Sequence, residues 1–204
     1  MASPGSGCQN DGSTVAILCE AEAVERARRD PEAFGELYRA HYDTILNYLY
    51  RRTLNQSLAE ELTSNTFFKA LRALPSYRNR APFRAWLYRI ASNELRSHFR
   101  SQRHSQGGLR TVPWEEGLER VYFTQSEVVE RAEREARLSQ YARLQAVLAR
   151  LPDRYQAVLV LRYFERLEYR EIAQVMGKRL GTVKSLLHRG LKRMRSLLDE
   201  ENAT

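Results

Sequence analysis

Between residues 172 and 198 the chain carries no acidic residue, and its apolar residues return every three or four positions. At about 100° per residue, Val183, Leu186, Leu187, Leu191, Met194, Leu197 and Leu198 fall within one apolar arc of roughly 140°. Lys184, Ser185, His188, Arg189, Lys192 and Arg195 occupy the other side. That period predicts an amphipathic helix over residues 182–198 and excludes a strand. With the helical pattern before Gly177, it makes a helix-turn-helix over residues 168–195. Solvated helices normally mix charge signs, so a face of one sign points to a polyanionic partner.

The composition agrees more weakly. Lys and Arg number 33 against 25 Asp and Glu, a net charge of +8, which favours an anionic partner without naming it. The distribution says more. Residues 78–103 hold seven Arg against one acid, Glu94, whereas residues 115–135 hold seven Glu against three Arg. The order along the chain is basic, acidic, basic.

Several classes fall away. No apolar run approaches the ~20 residues that span a bilayer, and residues 1–14 lack the basic start and apolar middle of a secretory signal. A cytoplasmic protein is expected, with Cys8 and Cys19 as free thiols in a polar leader. His41, His98, His104 and His188 have no zinc-like spacing, and neither a phosphate loop nor a nucleophile elbow is present. No catalytic residue, metal, cofactor or small-molecule substrate is expected.

Helical signals continue through the rest of the chain. Periodicity begins near Ala21, and Asp30-Pro31 is a helix start. Phe34, Leu37, Tyr38, Tyr42, Ile45, Leu46 and Leu49 form a stripe. A helix over residues 56–74 turns Leu58, Leu62, Phe68, Leu71 and Leu74 inward and stops at Pro75. The next opens at Ala81-Pro82, burying Phe83, Trp86, Leu87 and Ile90, with Arg84, Arg89, Asn93, Arg96 and Arg100 outside. Gly107, Gly108, Pro113 and Gly117 mark a linker. Helices resume near Glu127, with a stripe of Tyr141, Leu144, Val147 and Leu148, and break at Leu151-Pro152-Asp153. The expected fold is all-α: two small helical domains joined by a flexible acidic linker. Its divisions are a disordered leader (1–20), a first domain (21–104), the linker (105–135) and a helix-turn-helix domain (136–200).

Two blocks carry a family resemblance. One is Phe83-Arg84-Ala85-Trp86-Leu87-Tyr88-Arg89-Ile90-Ala91-Ser92-Asn93. The other runs Leu151-Pro152, Glu171-Ile172-Ala173, Gly177 and Gly181-Thr182-Val183-Lys184-Ser185. In order and spacing the chain resembles the extracytoplasmic-function sigma factors of bacterial RNA polymerase over residues 21–199. The resemblance implies core RNA polymerase and promoter DNA as partners, and often a cognate anti-sigma factor. It implies that Thr182, Lys184, Ser185, His188, Arg189 and Lys192 face the −35 element in a major groove. It assigns the −10 element to Tyr77, Arg78, Asn79 and Arg80, whose loop would stack on and cradle a flipped base, and to Arg89, Asn93 and Arg96. Trp86 stands as either a core residue or a DNA contact.

The family's polymerase-binding helix reads Asp/Glu-Leu-x-Gln-Glu-x-Phe, and here Glu61-Leu62-Thr63-Ser64-Asn65-Thr66-Phe67 stands in its place. The implied polymerase contacts are Leu58, Glu61, Leu62, Asn65 and Phe67. Glu115, Glu116, Glu119, Glu127 and Glu130 suit either a path toward a basic RNA exit channel or a tether holding two basic domains apart. Two other classes remain open: a dimeric helix-turn-helix regulator with a sensor domain, and a helical module whose basic surface binds an acidic protein.

Overall fold

The computed structural model describes residues 12–78, 81–105 and 129–202, with side chains at 20–78, 81–102 and 140–200. Regular structure among the described residues is entirely helical. The first half contains α1 (Gly12–Arg29), α2 (Phe34–Thr53), α3 (Gln56–Ala73) and α4 (Phe83–Ser105). α1 begins at Gly12, inside the stretch expected as a disordered leader and ahead of the Ala21 start. Cys19 lies on it, and Cys8 is outside the described residues.

Local chemistry sets the helix ends. The Asp30 carboxylate accepts from the Glu32 amide at 3.0 Å, capping a short 3-10 turn at Pro31–Ala33 that leads into α2. Asn55 caps α3 by accepting from the Leu58 amide at 2.9 Å. Just before it, Leu54 closes α2 in the left-handed region, with φ 51°.

α2, α3 and α4 pack together with α1 against α2. α3 turns Ala59, Leu62, Thr63, Thr66, Phe67 and Ala70 inward. The expected stripe holds at Leu62 and Leu74 and fails between them: Phe68 and Leu71 are exposed, not buried. Small Ala59 and Ala70 admit a close neighbour. The hydroxyls of Thr63 and Thr66 donate to the carbonyls of Ala59 and Leu62, each at 2.7 Å, so two polar residues bury without loss. Phe67 fills the gap against Phe34 and Tyr38. Tyr38, expected inward, keeps 38 % of its surface.

The second half contains α5 (Val129–Arg150), α6 (Asp153–Leu159), α7 (Tyr169–Met176) and α8 (Leu180–Asn202). α5 already begins inside the expected linker, whose residues 106–128 lie outside the described part, as do the side chains of residues 129–135. α6 runs into one π-helical turn, Val160–Phe164, where the Glu165 amide reaches the Val160 carbonyl at 3.1 Å. Arg166 comes next at φ 54° and reverses the chain.

On α8 the inward line is Val183, Leu186, Leu187 and Gly190; Leu191, expected inward, is exposed. The cause is the crossing of α6, which brings Leu159 and Tyr155 within 3.4 Å of where a Gly190 Cβ would stand.

The halves also touch. α4 packs on α7 and α2 on the π-turn, and the buried side chains form one continuous cluster. An arrangement in which a tether keeps them apart is not the one observed.

Candidate nucleic-acid and polymerase interfaces

The helix-turn-helix is built by residue-level devices. The Glu168 amide donates to the Glu171 carboxylate at 2.7 Å, securing the start of α7. Gly177 ends α7 at φ 62°, a left-handed position where glycine has no Cβ penalty. α8 then starts at Leu180, so Thr182 stands in its first turn. Thr182, Lys184, His188, Arg189 and Lys192 are exposed on one side and Ser185 is half-buried among them. The Arg189 guanidinium donates to Ser185 Oγ at 2.9 Å, which restricts the long side chain before any ligand arrives.

Beside this face lies a shallow concavity of about 460 Å³, lined by Arg162, Glu168, Tyr169, Arg170, Leu180 and Lys184. The Arg162 guanidinium sits 4.8 Å from the Tyr169 ring centre and donates to the Leu167 carbonyl at 3.0 Å. Arg162 and Arg170 extend the basic surface. Sequence reasoning missed them because Glu165, Glu168 and Glu171 surround them in the chain.

The first half differs. Arg78 is exposed, while Asn79 and Arg80 lie outside the described residues. Tyr77 is only 6 % exposed. Its ring packs against Phe83 and Trp86, with centres 5.7 and 4.9 Å away, and its hydroxyl donates to the Ala81 carbonyl at 2.5 Å. Burial pushes that hydroxyl up to about 12, so it remains a neutral donor. Tyr77 thus anchors the loop instead of presenting a stacking face, contrary to expectation. The short 3-10 turn Leu74–Ser76 points it inward over Phe83. Trp86 is half-buried and packs on the same aromatic cluster.

Arg89, Asn93 and Arg96 are exposed on α4. The Arg96 guanidinium donates to the Asn93 side-chain oxygen at 2.7 Å and to the Ser92 carbonyl at 3.1 Å. Arg84, expected outside, is half-buried and lies 3.5 Å from Glu171.

The residues implied for polymerase contact separate cleanly. Leu62 and Phe67 are core residues, each 3 % exposed, and present almost no surface to a partner. Glu61 and Asn65 are exposed, and Leu58 is half-buried. Phe68, missed from sequence, is 60 % exposed beside them, with the Arg72 guanidinium 5.7 Å from its ring centre. Positions 61, 65, 68 and 72 share one helical stripe, and that spacing was the available signal.

Among the described residues no group of three or more His, Cys, Asp or Glu could hold a metal, and no helix is long and apolar enough to cross a membrane.

Comparison with known proteins decides the family. The model of sigma-70 region 2 matches residues 37–105, and that of sigma-70 region 4 matches residues 141–194. The chain is 36 % identical to RNA polymerase sigma factor YlaC of Bacillus subtilis, over 78 % of its own length and 87 % of that protein. It belongs to the sigma-70 family, in the extracytoplasmic-function group. A second relative, the extracytoplasmic-function sigma factor BldN of Streptomyces coelicolor, is 35 % identical over 88 % of this chain and 66 % of that protein. The fold is similar to that of the sigma factor RpoE from Bartonella quintana, solved with the anti-sigma factor NepR. That match has a TM-score of 0.63 at 19 % identity, covering 81 % of this chain and 96 % of that one. As a sigma factor, the protein binds core RNA polymerase and directs promoter-specific initiation through −10 and −35 elements. The two other classes left open by sequence, a dimeric regulator and an acidic-protein binder, do not account for both matched regions.

Proposed function

We propose that this sigma factor reads the −35 element through the outer face of α8. Lys184, Ser185, His188 and Arg189 reach base edges and nearby phosphates, while Thr182 and Lys192 hold the backbone. The observation that carries this is the exposed face of α8, free of acids from residue 182 to 195, opposite the buried line of Val183, Leu186, Leu187 and Gly190. A major groove accepts one such helix, and a face whose own charged residues are all cationic favours the phosphates on either side of it. Arg78, Arg89, Asn93 and Arg96 serve the −10 element, with Tyr77 holding their loop in shape and Asn79 and Arg80 completing it.

Core polymerase docks on the stripe of Glu61, Asn65 and Phe68, edged by Leu58. An exposed aromatic within a polar ring is the usual make-up of a binding anchor. Residues 21–104 and 136–200 act as the two promoter-reading units, in the cytoplasm where chromosome and polymerase lie. The protein itself carries out no reaction; the chemistry belongs to polymerase. Because RpoE of Bartonella quintana is held by an anti-sigma factor, a cognate anti-sigma factor completes the proposed partners.

Run-off transcription with core polymerase on a promoter bearing both elements tests the assignment. A transcript dependent on this protein, and weakened by changes to the −35 sequence only when Arg189 is intact, is expected. A transcript whose promoter preference survives Arg189→Ala unchanged would overturn the α8 reading.

A further inference from the structure

The geometry points to a binding site for a small anion bearing a diphosphate group, in the cleft between α4, the start of α6 and the turn after α7. Of its residues only Arg96 is shared with the promoter surfaces assigned above, and its test needs neither DNA nor polymerase.

The cleft has a volume of about 200 Å³ and is lined by four cations, Arg52, Arg96, Arg154 and Lys178, against a single carboxylate, Asp153. That carboxylate is already engaged, because Arg52, whose side chain is 3 % exposed, pairs with it. Arg52 also donates to the Gln156 side-chain oxygen at 3.4 Å and to the Tyr48 hydroxyl at 3.1 Å. Arg96, Arg154 and Lys178 are exposed and have no carboxylate partner among the described residues. Like charges gathered on one cleft repel one another, and an anion seated among them removes that repulsion.

Two of these cations are held in place without a ligand. The Arg96 guanidinium donates to the Ser92 carbonyl at 3.1 Å and to the Asn93 side-chain oxygen at 2.7 Å. A guanidinium has five N–H groups, so others remain for a ligand. The Arg154 guanidinium lies 4.8 Å from the Tyr155 ring centre. Side chains ordered beforehand lose less freedom on binding, which favours affinity. Ala157 and Met176 add an apolar stretch of wall, and charges attract more strongly beside such a surface than in open water.

Charge and size select the ligand. Guanidinium forks match pairs of phosphate oxygens, and an ammonium adds a point charge. A single phosphate carries about −1.5 to −2, short of the three cations left over, and a second phosphate makes up the difference. The volume is below the ~300–1,000 Å³ of sites that enclose drug-sized molecules, so the phosphates enter and anything attached to them stays outside. Seated there, the anion bridges α4 to α6 and the α7–α8 turn and takes up Arg96. Occupancy should therefore oppose use of the −10 element, a consequence that rests on the Arg96 assignment, whereas the site itself does not.

The test is titration calorimetry and thermal melting of the full chain with inorganic pyrophosphate, with sodium chloride adjusted to keep ionic strength constant. Saturable binding is expected, with a melting temperature that climbs with ligand concentration. Arg154→Gln and Lys178→Gln change exposed side chains, and each should weaken binding by about tenfold while the far-ultraviolet helix signal stays intact. Lys178→Arg keeps the charge and should retain binding. Lys192→Gln, on the outer face of α8, should leave it unchanged. Adenosine diphosphate separates two sources of the group: affinity equal to or above that of pyrophosphate assigns it to a nucleotide, and weaker affinity to the free ion.

No saturable binding of either probe at millimolar concentration would overturn the site. Unchanged affinity in both cleft variants would do the same, as would a loss confined to Lys192→Gln. Sulfate binding as tightly as pyrophosphate would overturn the choice of a diphosphate.

Discussion

On α8 the cationic side chains face outward, while Val183, Leu186 and Leu187 are buried against the rest of the fold. The loop ahead of α4 divides its labour differently: Tyr77, which by type could stack on a base, supports the loop from beneath, and only Arg78 of its described polar residues projects freely. A reading helix that separates packing from recognition can change its target without changing its stability. A loop whose aromatic anchor lies inside the core cannot. The two DNA-facing surfaces of this sigma factor should therefore respond to mutation in opposite ways.

The largest effect is expected at the loop. Tyr77→Ala removes a ring packed on Phe83 and Trp86, and should destabilise the protein by about 3 kcal/mol or more, read by urea unfolding. Tyr77→Phe loses only the hydrogen bond to the Ala81 carbonyl, at about 1 kcal/mol. If Tyr77→Ala instead melts like wild type and loses only open-complex formation, the contrast between loop and helix fails.

Arg189→Ala should reverse that pattern. Promoter affinity falls by on the order of 1–3 kcal/mol at the contacted base pair. Unfolding stability stays within about 0.5 kcal/mol, since the residue is a surface one. Phe68→Ala extends the comparison to the polymerase stripe: binding to core should weaken by about 1–2 kcal/mol with no loss of melting temperature.

Smaller effects sharpen the backbone side of the argument. Arg166 adopts φ 54°, so Arg166→Gly should stabilise the protein by about 0.5–1 kcal/mol in thermal melting. The smallest is a slope with pH. Burial pushes the Glu165 carboxyl up, against the opposing pull of Tyr88, Arg51 and Arg84. The folded protein then holds a proton that the unfolded chain has released, between the ordinary carboxylate value near ~4.3 and the raised one. Stability from this group is complete below that window and declines as pH rises through it. Melting curves of Glu165→Gln should lack that decline.

Much of this was legible in sequence. The acid-free period of α8 and the Pro31, Pro75 and Pro152 boundaries locate the helices. The Phe83 to Asn93 block together with Gly181 to Ser185 identifies the family. What escaped depends on neighbours that periodicity does not encode. Phe68 and Phe67 are adjacent and equally apolar; which one turns inward depends on Ala59, Ala70 and two threonines that hydrogen-bond to their own helix. Leu191 loses its inward place to Gly190 because α6 crosses there. The docking of the halves escaped too, because Asp153, Glu165 and Glu171 read as scattered acids until folding brings them opposite Arg52, Arg51 and Arg84.

The π-turn at Val160–Phe164 gives the chain a one-residue insertion relative to an ordinary α-helical ladder. Each residue of helix rotates the downstream chain by about 100°. Removing one position there would swing the Glu165 carboxylate away from Tyr88 and would also shift α8 from its seat on α6. Five residues of backbone thus set the angle at which the buried carboxylate and the reading helix meet everything before them.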